Sequence, residues 1–434
     1  MDRRGFLGEV AAATAAFSVG MNAIGHAAEK AADAKNLRPI KLAWVGTGAQ
    51  GRYDLRNALR NPACECVAAA DINPANLAAG LKLCAKGARG YDDYRKMLDK
   101  EKDIDAVCIA VPLFAHAPVT IAALEAGKHV FCEKALAHTV EQCQAVCKAA
   151  KATGKWVQVG HQRRYNPLYH HTMKLINKDK VLGKITTIRA QWHRNGAWRR
   201  PVPKTAPNID LAKWGYKDLE HLINWRLYQE YSGGLMAELG GHQIDVVNWL
   251  LGMVPSRVTG IGGTDWWKDG RDVFDNVQCI YEYPGGIKMV YTSICTNAYD
   301  GFGEQIMGDA GTLLMLPGTG MLFRERKAVD LEWMKKANKT KVKGKSAITL
   351  DTGATAQSGM GGKATGGKKM KGKKRSHADD YRDEFASFFD CVRNNKRPFC
   401  SEVEGMESAV TVAMSNKAMR ENTSIELKPE LYRI

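Results

Sequence analysis

The sequence has no apolar run long enough to span a bilayer, which takes about 20 residues in a helix. Its N-terminal apolar stretch, "EVAAATAAFSVGMNAIGHAA", is made mostly of small residues and is interrupted by a glutamate and an asparagine. Arg3 and Arg4 precede this stretch and small residues lie near Ala27, a pattern typical of a cleavable signal for the twin-arginine route. We expect residues 1–36 to be an export signal and linker, which makes the protein periplasmic or exported. If the segment is only a tail, the protein is cytoplasmic.

The 11 cysteines show no regular spacing, so a fold held together by disulfides is not expected. Several of them, such as Cys108, Cys132 and Cys279, lie in apolar runs and are expected to be buried as small hydrophobic residues. Cys143 and Cys147 are one helical turn apart, but no histidine cluster completes a zinc site there, and we predict no metal. This cysteine usage agrees with folding in reducing cytosol before export.

Acidic residues are scarce between residues 335 and 375. This segment holds thirteen Lys or Arg residues and one acid, Asp351, so it carries +12 of the chain's net charge of +17 and leaves +5 for the rest. Because it is rich in Gly and Lys and poor in large apolar groups, we predict a mobile surface insertion. Contact with an anionic polymer or membrane surface stays open. Nucleic-acid binding is not expected, because no aromatic residues alternate with the lysines.

A glycine motif follows the first strongly apolar run. "PIKLAWVGTGAQG" leads directly into Gly46, Gly48 and Gly51, with Ala49 and Gln50 in the same turn, and the helix-like "RYDLRNALR" comes next. A strand, a G-x-G-x-x-G turn and a helix together are typical of dinucleotide binding. The first glycine permits the tight turn, the second lets the backbone approach a pyrophosphate, and the third lets the helix pack on the strand.

The acidic residue that follows the next strand indicates which nucleotide is bound. "CECVAAADINP" ends at Asp71, whose carboxylate can accept hydrogen bonds from ribose hydroxyls and would repel a 2′-phosphate. No Lys or Arg immediately follows it, so we favour NAD over NADP. A purely structural role for Asp71, as a helix cap, is the alternative.

Further apolar runs extend the alternation of strand and helix. "DIDAVCIAVP" ends at Pro112, and "KHVFCEK" ends just after Glu133. Because the carboxyl ends of parallel strands meet at one sheet edge, Pro112, His116 and Glu133 are candidate cofactor contacts. We predict an α/β protein with a doubly wound parallel Rossmann sheet in residues 37–160 and a second, substrate and oligomerisation domain in residues 161–434.

Three motifs resemble those of the glucose–fructose oxidoreductase, inositol dehydrogenase and rhizopine-catabolism family (Gfo/Idh/MocA). They are "GTGAQG", "VPLFAHAPVTIAALEAGKHVFCEKALAHT" and "SGGLMAELGGHQIDVVNWLLG". The resemblance implies a C-terminal α/β domain with a large, mostly antiparallel sheet. It also implies a homo-oligomer, a dimer or tetramer, assembled through the outer face of that sheet.

The same resemblance implies a catalytic set. Lys134 matches the family's lysine, which orients the reacting hydroxyl and stabilises developing alkoxide. His242 matches its histidine, a general base. Glu238 stands where an aspartate is usual, four residues before His242, so the two are expected on one helix face, with Glu238 orienting the imidazole or binding substrate. Asp245 could share either role.

The sequence departs from the family pattern beside Lys134. The usual proline after this lysine is Ala135. A cis bond before a residue other than proline costs about 2.5–4 kcal/mol, so we expect the Lys134–Ala135 bond to be trans.

Aromatic and polar residues occur together in three further stretches and suggest a saccharide site, since rings stack on sugar C–H faces while polar groups bind hydroxyls. The stretches are "GHQRRYNPLYHH", "QWHRNGAWRR" and "INWRLYQEY". The candidate substrate contacts that we take from them, together with one from the histidine motif, are His161, Arg164, Tyr165, His193, Trp198, Trp225, Arg226 and Asp245.

These features favour an NAD-dependent oxidoreductase acting at a secondary hydroxyl of a sugar, polyol or glycoside. If the protein is exported, no cytosolic pool reoxidises its cofactor. Tightly retained NAD would then suit a redox-neutral reaction, namely glycoside hydrolysis, epimerisation or hydride exchange between sugars. A catalytically silent saccharide-binding protein is the remaining alternative, although Lys134, His242 and the glycine turn are all present.

Overall fold

The structure is a computed structural model that describes residues 38–204, 208–342, 344–350 and 375–434. The predicted export signal lies outside the described residues, as does most of the Gly/Lys-rich segment. No helix within the described ranges is long and apolar enough to cross a membrane.

The first sheet has six parallel strands in the order β3-β2-β1-β4-β5-β6. Its central strands are almost continuously apolar, because helices cover both faces of a parallel sheet. The predicted Rossmann sheet is therefore confirmed. Its strands are β1 (Ile40–Val45), β2 (Cys64–Ala70), β3 (Arg89–Tyr91), β4 (Ala106–Ile109), β5 (His129–Glu133) and β6 (Val157–Gly160).

Three of the helices of this domain begin at polar caps that the sequence supplies. Asn73 accepts hydrogen bonds from the backbone N–H groups of Ala75 and Asn76, and Thr139 accepts one from Gln142. Such caps satisfy N–H groups that the helix itself leaves free. The helices are α1 (Ala49–Ala58), α2 (Pro74–Leu81), α3 (Tyr94–Lys100), α4 (His116–Glu125) and α5 (Val140–Thr153).

The second sheet has ten strands in the order β14-β15-β13-β12-β11-β7-β10-β9-β8-β16. Within this order β7 and β10 pair in parallel and the other neighbours are antiparallel, so the predicted mostly antiparallel sheet is confirmed. The strands are β7 (Ile185–His193), β8 (Arg257–Gly263), β9 (Asn276–Tyr283), β10 (Ile287–Ile294), β11 (Phe302–Gly308), β12 (Gly311–Leu316), β13 (Thr319–Arg324), β14 (Lys339–Val342), β15 (Lys345–Leu350) and β16 (Ser424–Glu426).

Helices cover one face of this sheet. Burial alternates along β9, where Val277 and Cys279 are buried while Gln278 and Ile280 are exposed. Period-two alternation of this kind marks a sheet with one covered and one open face. The helices of the second half of the chain are α6 (Pro167–Asn177), α7 (Leu219–Ile223), α8 (Gly241–Leu251), α9 (Glu332–Lys336), α10 (His377–Asn394) and α11 (Glu402–Glu421).

Part of the predicted mobile insertion is ordered sheet. β14 and β15 form an antiparallel hairpin, and β15 pairs with β13 through Leu350 opposite Gly320 and Ile348 opposite Leu322. The prediction of a mobile segment is therefore wrong for residues 339–342 and 345–350, because Ala347, Ile348 and Leu350 bury their side chains against the sheet. Residues 351–374 lie outside the described part of the chain.

Helix α10 returns to the first domain although it lies more than 300 residues from β1. The ring of Phe385 lies 5.8 Å from that of Trp44 and 4.4 Å from that of Phe131. Gln158 of β6 also pairs with Ser401, just before α11. A separate buried cluster, which includes Val107 of β4 and Tyr281 of β9, joins the two sheets and holds the Rossmann sheet against the second domain.

The cysteines behave as the sequence predicts. All 11 are free thiols, and nine are buried, with Cys64 and Cys84 partly buried. They contribute apolar volume to the core rather than covalent links.

Candidate active site

The glycine turn has the geometry that the motif predicts. Gly46 has a φ of +88°, and a Cβ there would lie 2.5 Å from the carbonyl oxygen of Ala110. A Cβ on Gly51 would lie 2.0 Å from the carbonyl oxygen of Gly46. By contrast, a Cβ on Gly48 would meet no described atom within 4 Å, which leaves open space over the turn.

Helix α1 presents an open N terminus to this space. Its N-cap is Gly48, and no side chain in the described ranges caps it. Ala49 and Gln50 form its first turn, so their backbone N–H groups are available to an anion. The amide of Gln50 donates to Asp54 at 2.8 Å, so its side chain points along the helix instead.

Asp71 lies where β2 ends, beside the glycine turn. Its Oδ2 accepts hydrogen bonds from the backbone N–H of Thr47 at 2.7 Å and from the Thr47 hydroxyl at 3.2 Å. Its Oδ1 accepts one from the N–H of Asn73 at 2.8 Å. Burial raises the pKa of Asp71, and these hydrogen bonds oppose the shift. The open helix terminus, the clear space over Gly48 and this carboxylate together fit a dinucleotide with unphosphorylated ribose hydroxyls.

The loops after β4 and β5 complete the edge. Pro112 begins a short turn, and His116 opens α4 with its ring buried. The Nδ1 of His116 lies 2.7 Å from the carbonyl oxygen of Ala135, and its Nε2 lies 3.0 Å from that of Val111. Because burial lowers the pKa of His116, its neutral ring donates to one of these carbonyls and lies against the other, so it contacts both loops. As a predicted cofactor contact, it could act only through its ring face or backbone.

Lys134 is placed at the carboxyl end of β5, and its Nζ donates to the backbone carbonyl of Glu238 at 3.0 Å. The Lys134–Ala135 peptide bond is cis, so the expectation of a trans bond is wrong. Contacts on both sides of the bond come from distant parts of the chain, namely Glu238 on Lys134 and His116 on Ala135. The expectation of a trans bond considered only the preference of the peptide bond itself and not these tertiary contacts.

Glu238 lies in a π-helical turn, Met236–Gly240, that runs directly into α8. Glu238 and His242 are thus separated by a π turn followed by the first α-helical residues, rather than by regular α-helix; such turns occur frequently at functional sites. The carboxylate of Glu238 accepts from Arg226 Nε at 2.8 Å and does not contact His242. Burial raises the pKa of Glu238, but the charges of Arg226 and Lys134 outweigh it and leave the pKa below its usual value.

His242 is buried with its Nδ1 unpaired among the described residues. Its ring lies 5.4 Å from the ring of Trp192 and 6.3 Å from that of His161. Burial lowers the pKa of His242 well below its usual value, and the charges of Lys134 and Arg163 lower it further. The imidazole is therefore neutral near pH 7 and able to accept a proton.

Several predicted substrate contacts lie inside the protein instead. Arg164 makes a buried, two-pronged ion pair with Asp245, with N–O distances of 2.9–3.0 Å. His161 Nε2 lies 3.0 Å from the hydroxyl of Ser408, and its Nδ1 lies 3.7 Å from Asp245. Tyr165 is 2% exposed. This layer supports the helix that carries His242, and Asp245 is engaged by Arg164 rather than by His242.

The remaining predicted contacts lie around the open side of the site or face away from it. His193 bonds to the Tyr299 carbonyl and the Thr292 hydroxyl, on the strand face opposite Trp192. Trp225 and Trp198 each carry a guanidinium over the ring, Arg226 at 4.2 Å and Arg194 at 4.3 Å.

Two residues near the site were not among the predicted contacts. One is Trp192, whose ring lies beside that of His242, and the other is Arg194. In the stretch "QWHRN", Trp192 and Arg194 lie on one face and His193 on the other. The sequence does not show which of the two faces is turned toward the site.

Three carboxyl groups are buried behind Lys134. Glu133 Oε2 accepts from the N–H of Lys134 at 3.1 Å, and the carboxyls of Glu133 and Asp54 lie within hydrogen-bonding distance of each other, so that a proton on one can bridge to the other. Both oxygens of Glu384 have no hydrogen-bond partner in the described structure. Burial raises the pKa of Glu133 to about 7 and raises those of Asp54 and Glu384 well above the usual range. The described ranges hold no group of acidic, histidine or cysteine residues that could bind a metal ion.

Comparison with known proteins agrees with both domains. Residues 40–161 match the family model "Oxidoreductase family, NAD-binding Rossmann fold", and residues 174–427 match "Oxidoreductase family, C-terminal alpha/beta domain". The first description confirms NAD as the cofactor type that Asp71 predicts.

Among relatives, the chain is 33% identical to inositol 2-dehydrogenase of Salmonella typhimurium over 197 residues, 44% of this chain and 56% of the relative. It is 31% identical to 2,7-anhydro-N-acetylneuraminate hydratase of Escherichia coli over 166 residues, 38% of either chain. The chain spans about half the length of the first of these curated relatives.

Solved structures share the fold at low identity. Levoglucosan dehydrogenase in complex with NADH and levoglucosan superposes with a TM-score of 0.70 at 19% identity, covering 90% of this chain and all of that one. Aldose-aldose oxidoreductase from Caulobacter crescentus gives 0.63 at 18% identity, with the same coverage. With two family models that together span most of its length, the chain belongs to the Gfo/Idh/MocA oxidoreductase family.

Proposed function

We propose that the protein is an NAD-dependent oxidoreductase that acts at a secondary hydroxyl of a sugar, polyol or glycoside. The observation that carries this proposal is the convergence of Lys134, Glu238 and the neutral His242 at the carboxyl edge of the Rossmann sheet. NAD, when bound along the glycine turn, supplies the hydride acceptor. Two relatives, an inositol 2-dehydrogenase and a 2,7-anhydro-N-acetylneuraminate hydratase, support this substrate class.

The chain's own residues divide the remaining work. The ammonium of Lys134, held by the Glu238 carbonyl, can donate to the substrate hydroxyl and stabilise the oxygen as it loses its proton. His242 can receive that proton, because burial keeps its ring neutral. Glu238 holds Arg226 at the rim of the site.

The second candidate is a redox-neutral reaction on retained NAD, namely glycoside hydrolysis or epimerisation, by an exported protein. It is favoured by Arg3, Arg4 and the apolar stretch after them. A periplasmic enzyme has no soluble pool to reoxidise its cofactor, so the hydride must return to a substrate.

One experiment separates the two candidates. The protein is purified without added nucleotide and denatured, and the released NAD and NADH are quantified by chromatography. About one nucleotide per chain, together with glycoside turnover when no NAD is supplied, supports retained-cofactor chemistry. An empty protein that reduces added NAD with a sugar or polyol supports net dehydrogenation. No nucleotide binding in either form contradicts both.

We also propose that the open face of the ten-stranded sheet is the interface of a homo-oligomer. Its outward residues include two apolar pairs, Val290 opposite Ile280 and Met321 opposite Leu314, which are separated in the same row by Arg189 of β7 and Gln305 of β11. Ile280 is 50% exposed and Ile261 is 67% exposed. Exposed apolar groups bordered by polar residues on an open sheet face are typical of surfaces that associate.

A further inference from the structure

Three arginines gather at the open side of the candidate active site, and we name Arg194, Arg200 and Arg226 the arginine cluster. Arg226 donates to the carboxylate of Glu238 at 2.8 Å. Arg194 and Arg200 both interact electrostatically with Arg226 and with Glu238. The cluster therefore shares the immediate surroundings of the residue that holds Lys134.

The backbone fixes Arg194 and Arg200 in place. Arg194 extends the pairing of β7, since its N–H donates to the carbonyl of Ile294 at 3.0 Å. It lies two residues after Trp192, so both side chains leave the strand on the side of His242. The buried side chain of Asn224 accepts from the N–H of Arg200 at 2.7 Å and donates to its carbonyl at 3.0 Å. This clamp holds the segment against Arg226, two residues from Asn224.

Arg194 and Arg200 differ from the neighbouring arginines in having no acidic partner. Arg163 pairs with Glu304, and Arg199 pairs with Asp269. Within the ranges that the structure describes, neither guanidinium of Arg194 or Arg200 donates a hydrogen bond to a protein group, and the Nε of Arg194 is buried without a partner. A buried, unpaired donor is costly unless a ligand satisfies it.

The local balance of charge is positive. Lys134, Arg194, Arg200 and Arg226 surround one carboxylate, Glu238, which is already bonded to Arg226. Burial lowers the pKa of both Arg194 and Arg200, and the charge of Arg226 lowers both further. An anion placed among these groups would relieve both their repulsion and their desolvation.

We propose that the arginine cluster binds an anionic substituent of the substrate, so that the preferred saccharide is an acidic sugar such as a uronate or a sugar sulfate. This inference rests on the proposed function and names its substrate class. Guanidinium groups present paired N–H donors that match the oxygens of a carboxylate or sulfate. The ring of Trp198, 4.3 Å from the guanidinium of Arg194, supports one face of that group and leaves its edge free.

The test measures sugar binding to the full-length protein loaded with NAD, by calorimetry. The probes are matched pairs: D-glucuronate with D-glucose, D-galacturonate with D-galactose, and D-glucose 6-sulfate with D-glucose. At least one anionic sugar is expected to bind tenfold or more tightly than its neutral partner. The double variant Arg194→Gln/Arg200→Gln is expected to lose at least tenfold in affinity for that sugar and less than twofold for the neutral one.

The controls keep the test decisive. Arg200→Gln alone changes an exposed side chain, and it is expected to lose part of the preference even if the double variant folds poorly. Arg326→Gln removes an exposed arginine from the turn after β13 and is expected to change nothing. The carboxylate and sulfate probes tell the two anion types apart.

Three outcomes overturn the inference. If neutral sugars bind as tightly as their anionic partners, or if the preference survives in the double variant, the cluster does not select the substrate while the proposed function stands. If the double variant instead weakens NAD binding, the cluster serves the cofactor. If no probe sugar binds the wild-type protein, this inference fails, while the proposed function, which also covers polyols and glycosides, is decided by the nucleotide-release experiment.

Discussion

At the scale of single residues, the candidate chemistry depends on how burial and neighbouring charges set protonation. Lys134 sits between the buried carboxyls Glu133, Asp54 and Glu384 on one side and the arginine-bonded Glu238 on the other. The pKa of His242 is lowered and that of Glu384 is raised for the same physical reason: burial disfavours whichever form carries charge.

We predict that Lys134→Met reduces turnover by about 10²- to 10³-fold, the usual cost of removing a donor to a developing oxyanion. NAD affinity should change little, because the glycine turn and Asp71 are untouched. Steady-state kinetics and an NAD titration measure both effects. Lys151→Met, which alters an exposed lysine on α5, is the matched control. Near-wild-type turnover in Lys134→Met would remove this lysine from the mechanism.

A second prediction concerns Glu384, whose buried carboxyl has a pKa raised by burial and by the charges of Glu133 and Asp54. The folded protein holds a proton there that the unfolded chain loses above its ordinary pKa of about 4.3. The free energy of unfolding therefore falls as pH rises from about 4.3 toward the raised pKa of the folded protein. Glu384→Gln removes this dependence. We expect it to raise the free energy of unfolding more at pH 8 than at pH 5, by up to about 4 kcal/mol over the three units.

Urea unfolding of the wild type and of Glu384→Gln at the two pH values tests this expectation. Glu125→Gln, at an exposed position on α4, serves as the control and should show no such difference. A variant that is destabilised equally at pH 5 and pH 8 would mean that the carboxyl has a role that a neutral amide cannot supply.

At the scale of elements, the nucleotide site depends on how closely α1 approaches β1. Gly51→Ala would place a Cβ 2.0 Å from the Gly46 carbonyl, so the helix must shift. We expect this variant to lose about 1–3 kcal/mol of stability and most of its NAD affinity. Gly48→Ala meets no described atom, so it should keep the stability of the free protein and weaken only NAD binding.

Thermal unfolding without and with NAD distinguishes the two glycine variants. Equal stability of both variants without the nucleotide would contradict the close approach at Gly51. Normal NAD affinity in Gly48→Ala would contradict the placement of the pyrophosphate over the turn.

At the scale of the whole molecule, buried cores hold one chain together, and the open sheet face is available for association with other copies. The core around Phe385 packs α10 on the Rossmann sheet, whereas the described part of the chain leaves the face around Ile280 uncovered. The proposed oligomer would cover that face.

We predict that Ile280→Lys converts the oligomer to a monomer, because a charge at the centre of an apolar interface remains unpaired and desolvated. Light scattering after size-exclusion chromatography gives the mass of each species. Val329→Lys, at a residue that is 41% exposed outside the sheet, is the control. An unchanged oligomer in Ile280→Lys would place the interface elsewhere.

The sequence by itself determined the features that depend on neighbours along the chain. The strand, glycine turn and helix from Ile40 to Ala58, the carboxylate that ends β2 and the alternation of the second sheet follow from local backbone geometry and from burial with a fixed period. These local signals sufficed for the Rossmann fold and NAD, while the resemblance carried by three motifs implied the family and the second sheet.

Only the tertiary structure decided which side chains meet. Arg164 pairs with Asp245 rather than with a substrate, Glu238 with Arg226 rather than with His242, and the Lys134–Ala135 bond is cis. Residues 339–342 and 345–350 became strands because β13 offered them an edge and a buried face. Each of these outcomes depends on a partner from another part of the chain, and the free energy of such a contact is absent from any local stretch of sequence.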